Sequence, residues 1–212
     1  MASRADSHTM HPHRRSSPPP VTKVWDPLVR VFHWSLLGGF AVAYVSSEGW
    51  DWLHTNAGYV VAMLVGLRVV WGFVGTRHAR FSDFVRRPSV VRGYLSDLLR
   101  LRQRHYLGHN PAGGLMILAL LIMLALTTLS GMTLYALDAG SGPFAGLIGL
   151  GNGFWIEVLE GLHEFLANAT VILIVAHVAG VILESLLSGE NLVRAMWDGY
   201  KRGTDDDALG RT

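Results

Sequence analysis

The sequence predicts an all-α integral membrane protein, a bundle of four transmembrane helices, and three observations predict it. Four apolar segments are each long enough to cross a hydrocarbon core about 30 Å thick, which takes roughly 20 helical residues. Half of the residues are hydrophobic and only 16% are charged, where a soluble chain carries nearer a quarter, and the mean hydropathy is +0.30. The charges that remain gather mostly between the apolar segments, and the connections that carry lysine and arginine alternate with ones that carry none.

The elements follow in order. Residues 1–23 read as a disordered arm: the first 20 or so are polar and proline-rich, with no apolar core of the kind a cleaved signal peptide needs. His8, His11 and His13 fall there and read as a solvated tail, with a weak metal-binding tract as the alternative. The helical domain covers 24–202 and a polar tail 203–212. Its first helix runs from about Pro27 to Ser47, started by Asp26-Pro27. The second runs from about Trp52 to Val74 and the third from Gly113 to Leu137. The fourth, from about Ile156 to Leu187, is longer than a span needs, so its first turns belong at the surface. Residues 89–104 (SVVRGYLSDLLRLRQR) place Val91, Tyr94, Leu95, Leu98 and Leu99 at helical spacing with arginines opposite, the pattern of an interfacial amphipathic helix, or alternatively of a surface for a soluble partner. Tryptophans 25, 50, 52, 71, 155 and 197 lie near segment ends, as an aromatic belt does.

Charge sets the orientation. Lysines and arginines occupy the N-terminal arm, the stretch Arg77–Arg104 and the region from Arg194 onward, while 48–51 and 138–155 contain none. The positive-inside rule puts both termini and the central connection in the cytoplasm. The outer side then presents Glu48, Asp51, Asp138, Glu157 and Glu160. The sequence pI near 9.2 is accounted for by these topogenic charges, with no nucleic-acid partner required.

Four histidines lie inside or at the ends of the apolar segments: His33, His54, His163 and His177. Ionisable residues at membrane depth are rare and usually functional, and imidazole is a common axial ligand of haem iron. His163 and His177 share one run, 14 residues or about 3.9 turns apart, so both rings leave nearly one face at levels roughly 21 Å apart. His33 lies some 9 Å from the cytoplasmic end of its helix, and His177 is at about the same depth. His54 opens the second helix on the outer side, level with His163. Depth therefore pairs His33 with His177 around an inner haem iron and His54 with His163 around an outer one. A lone histidine on an apolar helix is more often a hydrogen-bonded structural residue; four at matched depths favour two stacked cofactors. The chain has no cysteine, which excludes iron–sulfur clusters and thioether-linked haem, so the haems are b-type. The glycine-rich stretch 139–155 suits an outer loop whose short helix covers a cofactor edge. Glycines 38, 39, 58, 66 and 131 suit either close approach of a flat macrocycle or helix packing. Met116, Met123 and Met132 read as core filler.

Haem propionates are anionic and need cationic partners in a dry site. Arg30, one turn before His33, and Arg68, in the inner third of the second helix, are the candidates, with snorkelling of Arg68 to the interface as the alternative.

These stretches resemble a known family, the bacterial cytochrome b561 and Ni,Fe-hydrogenase cytochrome b group. The matching segments are VWDPLVRVFHWSL (24–36), LHTNAGY (53–59), LRVVWGFVGTRHARFSDF (67–84), YLGHNPAGGLM (106–116), LHEFLANA (162–169), HVAGVILES (177–185) and GENLVRAMWDGYKR (189–202). The resemblance implies a four-helix membrane protein holding two b-type haems through bis-histidine coordination, with ligands at His33, His54, His163 and His177. It makes His109, in GHNP, a loop-ordering or haem-edge residue, with a quinone-site role as the alternative. His78 and His105 read as plain loop residues.

Bis-histidine iron has no open coordination position and so favours electron transfer over substrate chemistry. No glycine-rich dinucleotide fingerprint is present. The leading expectation is transmembrane electron transfer between the quinone pool and a periplasmic cytochrome or a membrane-bound redox partner. The first alternative is the cytochrome b membrane anchor of a hydrogenase-like oxidoreductase complex. A third reading, from another class, is a haem-free transporter or scaffold. Whether the chain is a pure carrier or a quinol-linked oxidoreductase or its subunit stays open at this level.

Overall fold

A computed structural model describes residues 21–76, 79–99, 110–148 and 151–202. The arm over 1–20, the tail over 203–212, residues 100–104 of the amphipathic stretch, and His78, His105 and His109 lie outside these.

Four of the helices, α1, α5, α7 and α8, begin at a side chain that accepts from a free N–H of the first turn. Asp26 opens α1 (Pro27–Val45): its carboxylate accepts from the Val29 N–H at 2.8 Å, and Pro27 stands where a missing N–H costs nothing. α2 (Asp51–Val74) carries Asp51 in its first turn, favourable to the helix dipole. After the short α3 (Phe81–Phe84) and the amphipathic α4 (Pro88–Leu99) comes α5 (Pro111–Ala139), where Asn110 caps the Gly113 N–H at 2.7 Å. A single turn, α6 (Ala145–Ile148), precedes α7 (Gly153–Ser188), capped by Asn152. α8 (Leu192–Asp198), capped by Asn191, completes the helices.

Four of these, α1, α2, α5 and α7, are long and apolar enough to cross a membrane. Their boundaries fall within about three residues of the expected ones. α7 has 36 residues, about 54 Å at 1.5 Å per residue, so it overruns a span as its sequence suggested.

α1 packs on α2, α2 on α5 and α5 on α7, while α1 and α7 face each other without comparable backbone packing. All four meet at mid-height, where buried Phe40, Val61, Val65 and Leu124 gather Leu36, Ala125, Val171 and Ile174 around them. Elsewhere large apolar side chains point outward, Val45, Ile172 and Leu186 among them, as a lipid-solvated bundle permits. Hydroxyls within the spans bond to their own helix: Thr127 to Met123 O at 2.8 Å, Thr128 to Leu124 O at 2.9 Å and Thr170 to Leu166 O at 2.8 Å. Such pairing satisfies these hydroxyls in an apolar medium.

Two features at the basic end go beyond the expectations. Residues 21–23, assigned to the disordered arm, form strand β1 (Val21–Lys23), paired antiparallel with β2 (Tyr200–Arg202) so that Thr22 faces Lys201. α8 feeds this pair through Gly199, whose φ of 91° suits glycine and whose carbonyl accepts from the Val24 N–H at 2.9 Å. Trp25 is buried here with Val24 and Ala195 rather than standing in an aromatic belt; Trp50, Trp52, Trp155 and Trp197 are exposed. Lys201 is buried too; burial lowers its pKa, against the opposing pull of Glu190 and Glu184. The second feature is α4, which packs on α5 with Val91 and Tyr94 buried. The Tyr94 hydroxyl donates to Glu184 on α7 at 3.1 Å, so this helix is fastened to the bundle.

Candidate functional site

The opening between α1 and α7 is bridged by side chains rather than backbone. The rings of His33 on α1 and His177 on α7 lie 6.4 Å apart, centre to centre, with planes at 54°. Towards the opposite end, the rings of His54 on α2 and His163 on α7 lie 6.0 Å apart at 89°. Between the two levels the Tyr44 hydroxyl donates to Asn168 Oδ1 at 2.8 Å, a direct link from α1 to α7. The residues matched by depth in the sequence are thus neighbours in space, and α7 contributes one member to each pair.

At the far pair, both rings are oriented through Nδ1. His54 Nδ1 is 2.8 Å from the Ala43 carbonyl oxygen. His163 Nδ1 is 3.0 Å from the Thr127 carbonyl and 3.1 Å from Ser130 Oγ. A carbonyl can only accept, so Nδ1 carries the proton in both, and the lone pair of Nε2 is left available. Sequence reasoning gave α5 no part in orienting a histidine. Thr127 and Ser130 are what it missed, because α5 also carries Thr128 and Thr133 and nothing in the sequence sets these hydroxyls apart; Gly131 was marked for close approach or helix packing, not for a histidine. Gly131 in fact meets His163: a Cβ there would stand 2.8 Å from the ring's Cε1. Gly39 packs near Val61, whereas Gly38, Gly58 and Gly66 face open space.

The basic-end pair is built differently. His33 makes an edge contact with Trp34 at 5.2 Å, and Trp34 in turn with Trp197 of α8 at 5.7 Å. Arg30 donates from its Nη1 to the Trp197 carbonyl. Arg68 is only 8% exposed, with its guanidinium 5.6 Å and 5.9 Å from the ring centres of Phe81 and Phe84, a cation–π arrangement. The charge is buried in the fold and does not snorkel. Among the described residues, five buried nitrogens around this end have no hydrogen-bond partner: Arg30 Nε, His33 Nδ1, Trp34 Nε1, Arg68 Nη1 and Trp71 Nε1. Buried donors are normally satisfied, so this concentration marks a place shaped for acceptors. On the first turns of α7, Glu157, Glu160 and Glu164 are exposed.

Among the described residues no three or more His, Cys, Asp or Glu side chains gather as a metal cluster. The histidines stand in twos, each pair facing across a gap with nitrogen lone pairs available. Such an arrangement can grip one ion from opposite sides; it lacks the neighbouring carboxylates or nucleophile of a hydrolytic site.

Comparison with known proteins agrees. The family model of prokaryotic cytochrome b561 matches residues 24–199. The chain is similar to the probable Ni/Fe-hydrogenase B-type cytochrome subunit of Azotobacter chroococcum mcd 1, 32% identical over 171 residues, covering 72% of this chain and 68% of that one. It is also similar to the protein of the same description from Rhodobacter capsulatus, 28% identical over 166 residues and covering 72% and 63% of the two chains. The probable Ni/Fe-hydrogenase 1 B-type cytochrome subunit of Escherichia coli (strain K12) is 27% identical over 164 residues, covering 70% and 68%. No solved structure matches the chain significantly.

Proposed function

Since the chain belongs to the prokaryotic cytochrome b561 family, membrane b-type cytochromes of electron transfer, we propose that it is the di-haem cytochrome b subunit of a hydrogenase-like oxidoreductase in the bacterial inner membrane. His33 and His177 hold the inner haem iron, and His54 and His163 the outer one. The observation that carries this reading is the ring separation within the two pairs. Two imidazole–metal bonds of about 2 Å, with roughly 1 Å from each ring centre to its nitrogen, sum to about 6 Å, against 6.4 Å and 6.0 Å. A haem held by two of these histidines would supply one-electron transfer, with no ligand position left for oxygen or substrate.

The chain's own residues do the rest. The unpartnered donors on Arg30, Trp34 and Arg68 are the complement of anionic propionates, for which charge-assisted hydrogen bonds are the strong kind. Gly58, one turn inward of His54 and facing open space, leaves room for a macrocycle edge. Positive charge at the end bearing the termini puts that end in the cytoplasm. The names of the relatives favour a hydrogenase-like partner over a free-standing carrier. Exchange with the quinone pool, or with a periplasmic cytochrome, is the second reading; the exposed Glu157, Glu160 and Glu164 beside the outer pair favour an outer-face exchange surface.

An absorption spectrum with haem quantification on the purified protein tests the proposal: two b-type haems per chain are expected, and co-purification with a large metalloenzyme separates the subunit reading from the free carrier. A pigment-free protein would return the chain to the transporter or scaffold class.

A further inference from the structure

We infer that Thr127, Ser130 and Gly131 of α5 form a cradle for the His163 ring, and that this cradle makes the outer haem the lower-potential of the two. The inference rests on the haem reading above.

α5 supplies no ligand, yet it determines the protonation pattern of one. The Ser130 hydroxyl donates to the Thr127 carbonyl at 2.9 Å, so the lone pairs of Ser130 Oγ are what His163 Nδ1 meets at 3.1 Å. The other neighbour, the Thr127 carbonyl at 3.0 Å, also accepts. Two acceptors on one nitrogen place the proton on Nδ1 and hold Nε2 as the donor to metal. Gly131 fixes the ring's distance from α5, because any side chain there would meet Cε1. Two turns inward along α7, buried Thr170 lies 3.4 Å from Thr127 Oγ1, which holds the two helices in the register that the cradle requires.

His54, the opposite ring, likewise faces a carbonyl through Nδ1. His33 has no such bond: its Nδ1 is buried without a partner. An imidazole that donates its second N–H to an acceptor is a more basic ligand, and a more basic ligand stabilises oxidised iron, so the potential falls. The buried cation of Arg68 and the guanidinium of Arg30 stand at the inner pair, where positive charge favours the reduced state. Ligand hydrogen bonding and charge therefore act in the same direction, outer low and inner high.

The test is a redox titration of Ser130→Ala and Ser130→Thr in the full-length protein, followed by optical spectra and by the low-temperature g-values of the oxidised form. Ser130→Ala should raise the more negative component and shift its g-values, leaving the other component unchanged. Ser130→Thr keeps the hydroxyl and should keep both. Gly131→Ala should halve the haem content, the survivor being the more positive component. If two haems are present and Ser130→Ala moves the positive component, or neither, the cradle inference is overturned while the haem reading stands. A wild-type protein without haem overturns both.

Discussion

The Nδ1 nitrogen of His54 lies 2.8 Å from the carbonyl oxygen of Ala43, so the last turn of α1 orients the first functional side chain of α2. Carbonyls in a helix's last turn have no partner within the helix. The Val42 carbonyl accepts from the Ser46 N–H at 3.0 Å and its hydroxyl at 2.7 Å, whereas the Ala43 carbonyl takes the imidazole, with the Ser46 hydroxyl farther off at 3.3 Å. The tight turn between α1 and α2 thus does more than reverse the chain: it converts an orphan acceptor into the group that fixes a ring's tautomer. The same logic recurs at His163 with Thr127, where the carbonyl comes from mid-helix and a serine is needed beside it.

Pairwise haem loss is the first expected outcome. His54→Ala or His163→Ala should remove the outer haem and keep most of the inner one; His33→Ala or His177→Ala should do the reverse. Haem per protein should fall from about two to about one in each case, with a different component missing from the redox titration. Retention of both haems at unchanged potentials in His177→Ala would sink the assignment.

Arg68 provides the second. Its guanidinium is buried with Nη1 unpartnered, so replacing it by Leu removes a full charge from a dry site. At a separation on the order of 10 Å and an effective dielectric near 20, that charge is worth about 1–2 kcal/mol, or tens of millivolts for a one-electron couple. The inner haem's potential should drop by that amount, and Arg68→Lys should recover part of it. A titration that shows no shift would leave Arg68 only its packing between Phe81 and Phe84.

What could be read from the sequence was whatever depended on periodicity or depth. The four spans followed from apolar length, and α1 from Asp26-Pro27; the pairing of His33 with His177 and of His54 with His163 followed from distance along helices of fixed rise. What escaped depended on contacts between segments distant in the chain. The β1–β2 pair joins Thr22 to Lys201 across nearly the whole sequence, and three-residue strands have no pattern of their own to announce them. α8 was too short to show a period. The role of Ser130 was hidden because a hydroxyl in an apolar helix usually bonds to its own backbone, as Thr128 and Thr133 do; only the packing of α5 on α7 singles out the one that meets a ring. The aromatic cover of Arg68 was hidden for a related reason, since the rings that supply it come from α3.

Asp26 gives a pH-dependent outcome. Burial alone would raise its carboxyl pKa, but hydrogen bonds from the Thr76 hydroxyl and from the Val29 and Leu28 N–H groups outweigh it and hold the value below the usual range. A carboxyl depressed in the folded state contributes stability that is present above its unfolded value, about 3.9, and is lost as pH falls through the folded value. Thermal unfolding in detergent should therefore show an acid limb below about pH 4 that is shallower in Asp26→Asn, which still caps but carries no charge. Near neutral pH, Asp26→Ala should cost about 1 kcal/mol, the usual loss for an N-cap. Equal acid limbs in wild type and Asp26→Asn would show that the charge contributes nothing there.

The exposed carboxylates of Glu157, Glu160 and Glu164 offer a test of how electrons are exchanged at the outer end. They lie at helical spacing on α7 around His163, at the end where the sequence places no basic residue. A field of one sign attracts a basic partner and speeds encounter. It is screened within about 10 Å at 0.1 M salt. If a basic periplasmic protein docks there, electron exchange with it should fall steeply with ionic strength, by roughly tenfold or more between low and physiological salt, and the double variant Glu157→Gln/Glu160→Gln should start low and lose the salt dependence. Reduction by a quinol analogue in detergent should respond little to salt. A site in which one of these carboxylates takes the quinol proton predicts a different pattern: the quinol rate falls on neutralisation, with a changed pH profile, while the protein–protein rate holds. Stopped-flow reduction with the two donors, each measured across salt and pH, separates these outcomes. Rates unchanged with both donors would confine the stripe to topology and solubility, and would move the partner's contact to the turn at 46–50 or to the glycine-rich connection between α5 and α7.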